Sequence, residues 1–459
     1  MRLLLTHCYY LEEDPKEQQI MKPYPPLGLL YVSGFLKGKD VPHKVFDSTF
    51  ASVASQLAQI EKEPPDIIAI YANMMTKPAV VRLMKLLRKE ARYGYPKIVL
   101  GGPDVTYNLE NYLQAGAHYI VIGEGEQTFY ELYANLKDKS TIQEVAGIAY
   151  WEDGQVKKTS PRTKIKDLCG HPLPNREAID MHRYLLTWKQ HHGHSSMTIS
   201  TQRGCPYTCK WCSTAVYGQS YRRRPVEDVV EEMLHLQETY QMDRLWFVDD
   251  VFTVSHKWIE AFHQEITKRG AQMPFECISR AERLNPEILK LLKESGCFRI
   301  WIGAESGSQR IIDAMDRRVA VETVQEAIQQ ANTLGMETGT FIMLGYPGET
   351  EADIQQTIQH LKRANPTHFT ITVAYPIKGT ALYTEVEDKW EAPQDWQTAT
   401  DRDIYFKRTY RKPYYAQAVR RVVNEVKAYQ SENPKDKFNY KLRSIAALAF
   451  MKFYKFRPI

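Results

Sequence analysis

RGCPYTCKWCS, residues 203–213, places Cys205, Cys209 and Cys212 in a C-x3-C-x2-C spacing. A structural zinc site takes four protein ligands, usually from two paired knuckles. No second pair follows: Cys277 and Cys297 fall on separate expected elements. Unliganded thiols fit poorly in a loop that carries Gly204 and Pro206 directly after a strand. Iron–sulfur cubes are normally held by thiolates, and three thiolates leave one iron open to a substrate or cofactor. The chain has seven cysteines in all, an odd number and dispersed apart from this cluster. "MRLLLTHCYYLEED" carries no signal segment, and the apolar run "SIAALAFM" (444–451) is too short to span a bilayer. These features point to a reducing cytoplasm, where clustered cysteines bind metal rather than form disulfides.

Outward from the cysteines, short apolar runs alternate with helical periodicity. "MTIST" (197–201) precedes the loop; "LWFVD" (245–249), "PFECI" (274–278), "FRIWIG" (298–303), "TGTFIML" (338–344) and "FTITVA" (369–374) follow it. Helix signals fill the gaps, among them Asn285-Pro286 as a start and Gly296 and Gly335 as stops. Six such βα units predict a partial parallel barrel, whose active site lies where the strands end. The cysteine loop follows its first strand and therefore faces the mouth.

Residues 1–145 show the same alternation, with "RLLLT", "HKVFD", "DIIAIY", "KIVLGG" and "YIVIG" as buried strands. This predicts a doubly wound, Rossmann-like parallel sheet, which binds ligands at the carboxyl ends of its strands. Those ends hold Tyr71, Met74, Thr76, Gly101, Gly102, Pro103, Gly123, Glu124, Gly125 and Glu126. The glycines let a backbone approach a ligand closely, and no G-x-G-x-x-G follows the first strand, which argues against a dinucleotide. The expected organisation is an α/β chain: residues 1–145 a first domain, 146–195 a hairpin turning at Asp153-Gly154 plus a linker, 196–385 the partial barrel, and 386–459 a helical tail.

The chain has 459 residues, 43% hydrophobic and 25% charged, with net charge +5. From Arg402 onward 15 Lys or Arg face 4 Asp or Glu, a local +11 that leaves −6 elsewhere. The tail reads first as basic helices packed on their own domain, with peripheral contact to a membrane or lipid-like substrate as the functional reading. "HHGH" (191–194) reads as solvated linker histidines rather than metal ligands. No nucleic-acid motif accompanies the basic tail.

The cysteine motif, with an aromatic residue (Trp211) before its last cysteine and after the first strand of a βα barrel, resembles the radical S-adenosylmethionine (radical SAM) superfamily. "LWFVDDVFT", "ECISRAERL", "WIGAESGSQR", "FIMLGYPGET" and "YPIKGTALY" resemble that family's later strands. "PPLGLLYVSGFL", "GGPDVT" and "IGEGEQTFYEL" are similar to the cobalamin-binding domain that precedes the barrel in one branch. The resemblance covers about residues 1–385. It implies a 4Fe–4S cluster on Cys205, Cys209 and Cys212, with SAM chelated at the open iron and contacted by Trp211, Asp249, Arg280, Glu305, Gly345 and Pro347. It further implies cobalamin in the first domain at the strand-end residues named above. The chemistry implied is reductive cleavage of SAM to a 5′-deoxyadenosyl radical, which abstracts hydrogen from an unactivated carbon.

The D-x-H-x-x-G motif that supplies a lower cobalt ligand in other cobalamin domains is missing: the first loop reads "THCYYLEEDPKE", and His7 has neither flanking residue. The leading expectation is cobalamin-dependent methylation, with a reductant protein such as flavodoxin or ferredoxin and a small-molecule, hydrophobic substrate. The alternatives are an oxidative cyclase, a cobalamin-free radical enzyme, and a cobalamin- or cluster-binding sensor. A sensor has no need of a whole barrel.

Overall fold

The computed structural model describes residues 1–214, 216–392 and 394–456. The first sheet contains β1 (Leu3–His7), β2 (Lys44–Phe46), β3 (Ile67–Tyr71), β4 (Lys97–Gly101) and β5 (Tyr119–Val121). They pair in parallel in the order β2-β1-β3-β4-β5. Their unbroken apolar runs follow from burial on both faces. Leu4, Ile68, Ile70, Ile98 and Leu100 join one core layer, and Leu3, Leu5, Ile67, Ala69 and Val99 join the opposite one. The hairpin β6 (Ile148–Glu152) and β7 (Gln155–Lys158) adds antiparallel to β5, so it continues this sheet. Its turn residues Asp153 and Gly154 have φ of 52° and 76°, the left-handed pair of a two-residue hairpin.

A connection with the helix Met181–His192 leads to β8 (Ser196–Ile199). The short strands β9 (Gln202–Arg203) and β10 (Arg222–Arg223) then pair antiparallel and bracket the cysteine loop. β11 (Arg244–Phe247), β12 (Phe275–Ser279), β13 (Cys297–Glu305), β14 (Glu337–Leu344) and β15 (His368–Val373) complete an all-parallel sheet of order β8-β11-β12-β13-β14-β15. β8 and β15 are its two edges, so this is a partial barrel. Phe247 anchors the interior, with ring centroids 4.7 Å from Phe252 and 5.1 Å from Phe275. Asn285 accepts a hydrogen bond from the Ile288 amide at 2.8 Å and starts the helix Pro286–Glu294 as anticipated.

The tail is helical over Lys412–Gln430 and Pro434–Phe456. The first of these helices inserts Tyr414, Tyr415, Ala418, Val422 and Val426 into the barrel core, so it serves the domain it packs on. Before it, the chain returns to the first domain: Trp396 meets Tyr112 edge-on at 4.7 Å and donates to Asn108 Oδ1 at 3.2 Å, while buried Lys77 lies 3.9 Å from Asp401. The two α/β units are thus tied through this segment, through the base of the cysteine loop, and through the helix Met181–His192, whose Tyr184 donates to Asp47 at 2.7 Å and Trp188 to the Pro23 carbonyl at 2.8 Å.

Candidate functional site

The cysteine loop is closed at its root. Gly204 has φ 81°, and a Cβ there would stand 2.6 Å from the Ser220 carbonyl oxygen, so the two limbs meet at a position that glycine alone fits. Asp249, at the end of β11, accepts from the amides of Thr201 (2.8 Å) and Gln202 (3.1 Å) and from both neighbouring hydroxyls, Ser200 and Thr201. Asp249, expected among the SAM contacts, lines the space at Cys205, and its carboxylate aims the loop. The N-terminus of the next helix is capped by Ser255.

The loop is then stitched across the barrel mouth. The Lys210 amide donates to the Met315 carbonyl at 3.2 Å, and the Lys210 carbonyl accepts from Leu382 at 2.9 Å. Thr208 bonds Asp316 at 3.0 Å, and Arg283 donates to the Tyr207 hydroxyl at 2.6 Å. Arg280 lies on the Tyr207 ring and donates to Cys209 Sγ at 3.2 Å. All three cysteines are free thiols. Cys205 and Cys209 are half-buried and Cys212 is exposed; partial desolvation by the surrounding protein, reinforced by Asp250 and the neighbouring thiols, raises the Cys212 and Cys205 thiols. Thiols that raise one another share one space, and a cationic centre there would reverse that penalty. Among the described residues no three His, Cys, Asp or Glu side chains converge as ligands of a single metal ion would. A cube binds its thiolates through separate irons and asks for no such convergence, so the loop fits a cluster. The 191–194 histidines follow the same rule: His192 bonds the Met21 carbonyl at 3.0 Å and both it and His194 rest on Trp188.

The remaining barrel candidates ring the loop. Trp211 packs beside Ile311, Met315, Tyr346 and Leu382. Glu305 sits at a register shift of β13 against β14 with φ 65°, a left-handed conformation rare for a glutamate. Burial raises its carboxyl to about 7, against the opposing pull of Arg317 and Arg280. Neither arginine pairs with it directly: Arg280 pairs with Glu282, and Arg317 donates to the Gly303 carbonyl at 3.0 Å. Gly345 (φ 78°) and Pro347 form the turn after β14. Glu349, passed over in the sequence although "GYPGET" contains it, folds back onto the Gly345 amide, and burial raises its carboxyl to about 8.

In the first domain a cavity of about 220 Å³ opens at the carboxyl ends of β1, β3, β4 and β5. Tyr71, Gly101, Gly102, Gly123, Glu124, Gly125 and Glu126 line it as expected, joined by Gly28, Tyr31, Val216 and Tyr217. Thr76 is buried in its own turn with Asn73, whereas Met74 and Pro103 line a neighbouring recess of about 230 Å³ with Tyr107, Ser213, Ile377 and Lys378. A third space of about 300 Å³ has Gly28, Tyr31, Val216 and Tyr217 in common with the first and Pro103 and Ser213 in common with the second. It also holds Cys205 and Asp250. The glycines test the fit of a ligand here. A Cβ at Gly101 would find its nearest neighbour at 3.9 Å, and one at Gly125 at 3.6 Å, both ordinary contacts, and neither residue has a left-handed φ. The fold does not require glycine at these two positions, and a group lying on the strand ends does. His7 cannot serve that group from below. Its ring lies 2.8 Å from Asp47 Oδ1 and 3.1 Å from Ser48 Oγ, buried away from the cavity.

Glu124 and Glu126 wall this cavity, but their carboxylates turn to the barrel domain. Buried Arg203, two residues before Cys205, donates to Glu124 at 2.9 Å and to Glu126; Arg222 joins Glu124, and His171 lies 3.5 Å from Glu126. Burial would raise the Glu126 carboxyl, yet the His171 hydrogen bond and Arg203 together hold it down to about 2.

Arg203→Leu is expected to cost about 3–5 kcal/mol in denaturant unfolding, because two buried carboxylates lose their counter-charge. Glu126 has a depressed folded-state pKa, so its contribution is complete above about 4.5 and is lost as pH falls toward 2. That loss amounts to about 3 kcal/mol, and Glu126→Gln should remove this part of the acid dependence. Gly125→Ala should leave the cofactor-free chain as stable or up to about 1 kcal/mol more stable in a thermal melt. Gly125→Leu should weaken cobalamin binding, followed by absorbance, by about tenfold or more, equivalent to about 1.4 kcal/mol.

Comparison with known proteins agrees with this geometry. The B12 binding domain family matches residues 19–133 and the Radical SAM superfamily matches residues 199–361. An uncharacterised methyltransferase of Pyrococcus horikoshii is 29% identical over 367 residues, 78% of each chain. The anaerobic magnesium-protoporphyrin IX monomethyl ester cyclase of Synechocystis sp. is 26% identical over 83% of this chain and 77% of its own. The radical S-adenosylmethionine methyltransferase TsrM from Kitasatospora setae, solved with cobalamin and a 4Fe–4S cluster, superposes with TM-score 0.74 at 15% identity. That superposition covers 95% of this chain and 89% of TsrM, a likeness of fold. With a B12-binding domain set against a half-barrel that carries the three-cysteine loop at its mouth, the chain is an enzyme of the radical SAM superfamily, of the branch whose cofactors are a 4Fe–4S cluster, SAM and cobalamin.

Proposed function

We propose that the chain is a cobalamin-dependent radical SAM methyltransferase acting on an unactivated carbon of a small molecule. The observation that carries this reading is the adjacency of three spaces that share lining residues: the glycine-lined cavity, the interdomain space at Cys205, and the recess at Ser213. A methyl donor, a radical source and a substrate can then meet without leaving the protein.

In this reading Cys205, Cys209 and Cys212 hold the cluster and the glycine cavity holds cobalamin. When bound, these cofactors supply a hydrogen-abstracting radical and a transferable methyl group. Arg280 donates to the Cys209 sulfur and steadies the charge of that ligand. Glu305, bent out of the strand by its left-handed backbone, presents a carboxyl to the amino group of SAM. Trp211 and Gly345 shape the adenosine side, and Asp249 fixes the loop on which all of them depend. Met74, Pro103, Tyr107 and Ile377 receive the apolar part of the substrate, with Lys378 near a polar group. The two domains close over these spaces and exclude water. A flavodoxin- or ferredoxin-type protein delivers the electron, in keeping with a reducing cytoplasm. His7, committed to Asp47, would not be among the residues that hold cobalamin.

The cyclase relatives support a second reading with the same cofactors, and the products separate the two. Anaerobic reconstitution with SAM and a strong reductant should yield 5′-deoxyadenosine together with S-adenosylhomocysteine. 5′-Deoxyadenosine alone indicates cyclase-type chemistry. Cys205→Ala should lose cluster iron and both products, and an unchanged iron content would overturn the cluster assignment. His7→Ala should leave the electron paramagnetic resonance spectrum of cob(II)alamin bound to the chain unchanged.

A further inference from the structure

The helix Pro434–Phe456 has two apolar faces. Ser444, Ala447 and Met451 are buried against the helix Lys412–Gln430. On the other side Phe438 is 63% exposed, Leu442 49%, Ile445 62%, Phe450 53% and Phe453 49%. At about 100° per residue they fall on one broad face, a stripe about 140° wide, along the outside of the helix. Contiguous apolar surface of this kind marks a docking site. The helix carries Lys435, Lys437, Lys441, Arg443, Lys452 and Lys455 against one acid, Asp436. At about 100° per residue, Lys441 and Lys452 run along one border of the stripe and Arg443 along the other. Lys441 also reaches Glu425 at 3.2 Å and Lys455 reaches Glu351 at 2.9 Å.

We propose that this face docks the protein on an anionic phospholipid bilayer, with the stripe in the interfacial plane and the flanking bases against headgroup phosphates. Charge decides the occupant. A second copy of the chain would set two basic borders against each other, whereas an anionic surface complements them. The helix is not long and apolar enough to cross a membrane, so the contact lies on the surface. Glu351, held by Lys455 near the end of this helix, opens the helix directly after the Gly345–Thr350 turn. Docking therefore holds the rim of the barrel mouth toward the lipid.

The test is flotation of the full-length protein with phosphatidylcholine vesicles, with and without phosphatidylglycerol. Wild type should float with the anionic vesicles and dissociate as salt rises. Ile445→Asp should abolish flotation without changing the circular-dichroism melt, because the residue is exposed. Lys452→Gln and Arg443→Gln should each weaken binding about fivefold. Absence of flotation, equal flotation on neutral vesicles, or flotation of Ile445→Asp at the wild-type level would overturn the proposal. So would a dimer in light scattering that Ile445→Asp dissociates, with no vesicle binding. The readout needs no cofactor or turnover, so it fails independently of the methyltransferase reading.

Discussion

One buried guanidinium sets the geometry on which both halves depend. Arg203 sits at the root of the cysteine loop and spends its donors on Glu124 and Glu126, the residues that begin the Gly125–Asp138 helix of the other domain. A charge this deep is tolerated when its partners are fixed in place. Arg222 also bonds Glu124, and His171, 2.7 Å from the Arg203 guanidinium, lies 3.5 Å from Glu126. The distance between the cysteine loop and the glycine cavity is thus set by a short, rigid ionic bridge. A flexible linker in its place would let that distance vary, and two cofactors that must cooperate on one substrate require it to be constant.

Much of this was legible in the sequence. The strands of the first sheet are nearly unbroken apolar runs, because helices cover both faces, and such runs announce themselves; those of the barrel sheet are interrupted by polar residues, as in HFTITV of β15. The cysteine spacing and the paired glycines at the strand ends are local patterns, and local patterns survive without coordinates. The pairing of Arg203 with Glu126 joins residues 77 positions apart, and no periodicity marks such a contact. Glu124 and Glu126 accordingly read as ligand contacts from their glycine-rich setting, although their carboxylates serve the bridge. Asp249 likewise has a structural duty that its sequence setting does not reveal. An acid at a strand end reads as a ligand, and the structure shows four donors from the preceding strand exit converging on it.

The glycines divide into two kinds that the sequence could not separate. Gly204 and Gly102 are demanded by the backbone, since each has a positive φ and a Cβ would strike a carbonyl. Gly101 and Gly125 have room and ordinary conformations, so the backbone does not demand glycine there, in keeping with the proposed ligand. A glycine explained by the fold says little about function. A glycine that the fold leaves unexplained points to a ligand.

The strained Glu305 has a bearing on how the enzyme is assembled. A left-handed glutamate with a buried carboxyl and three crowded thiols lowers the stability of the newly made chain. The costs stay uncompensated until the groups they serve are in place. Ligands that bind the folded state stabilise it by mass action. Filling the site with its cofactors is therefore expected to raise the stability of the folded chain.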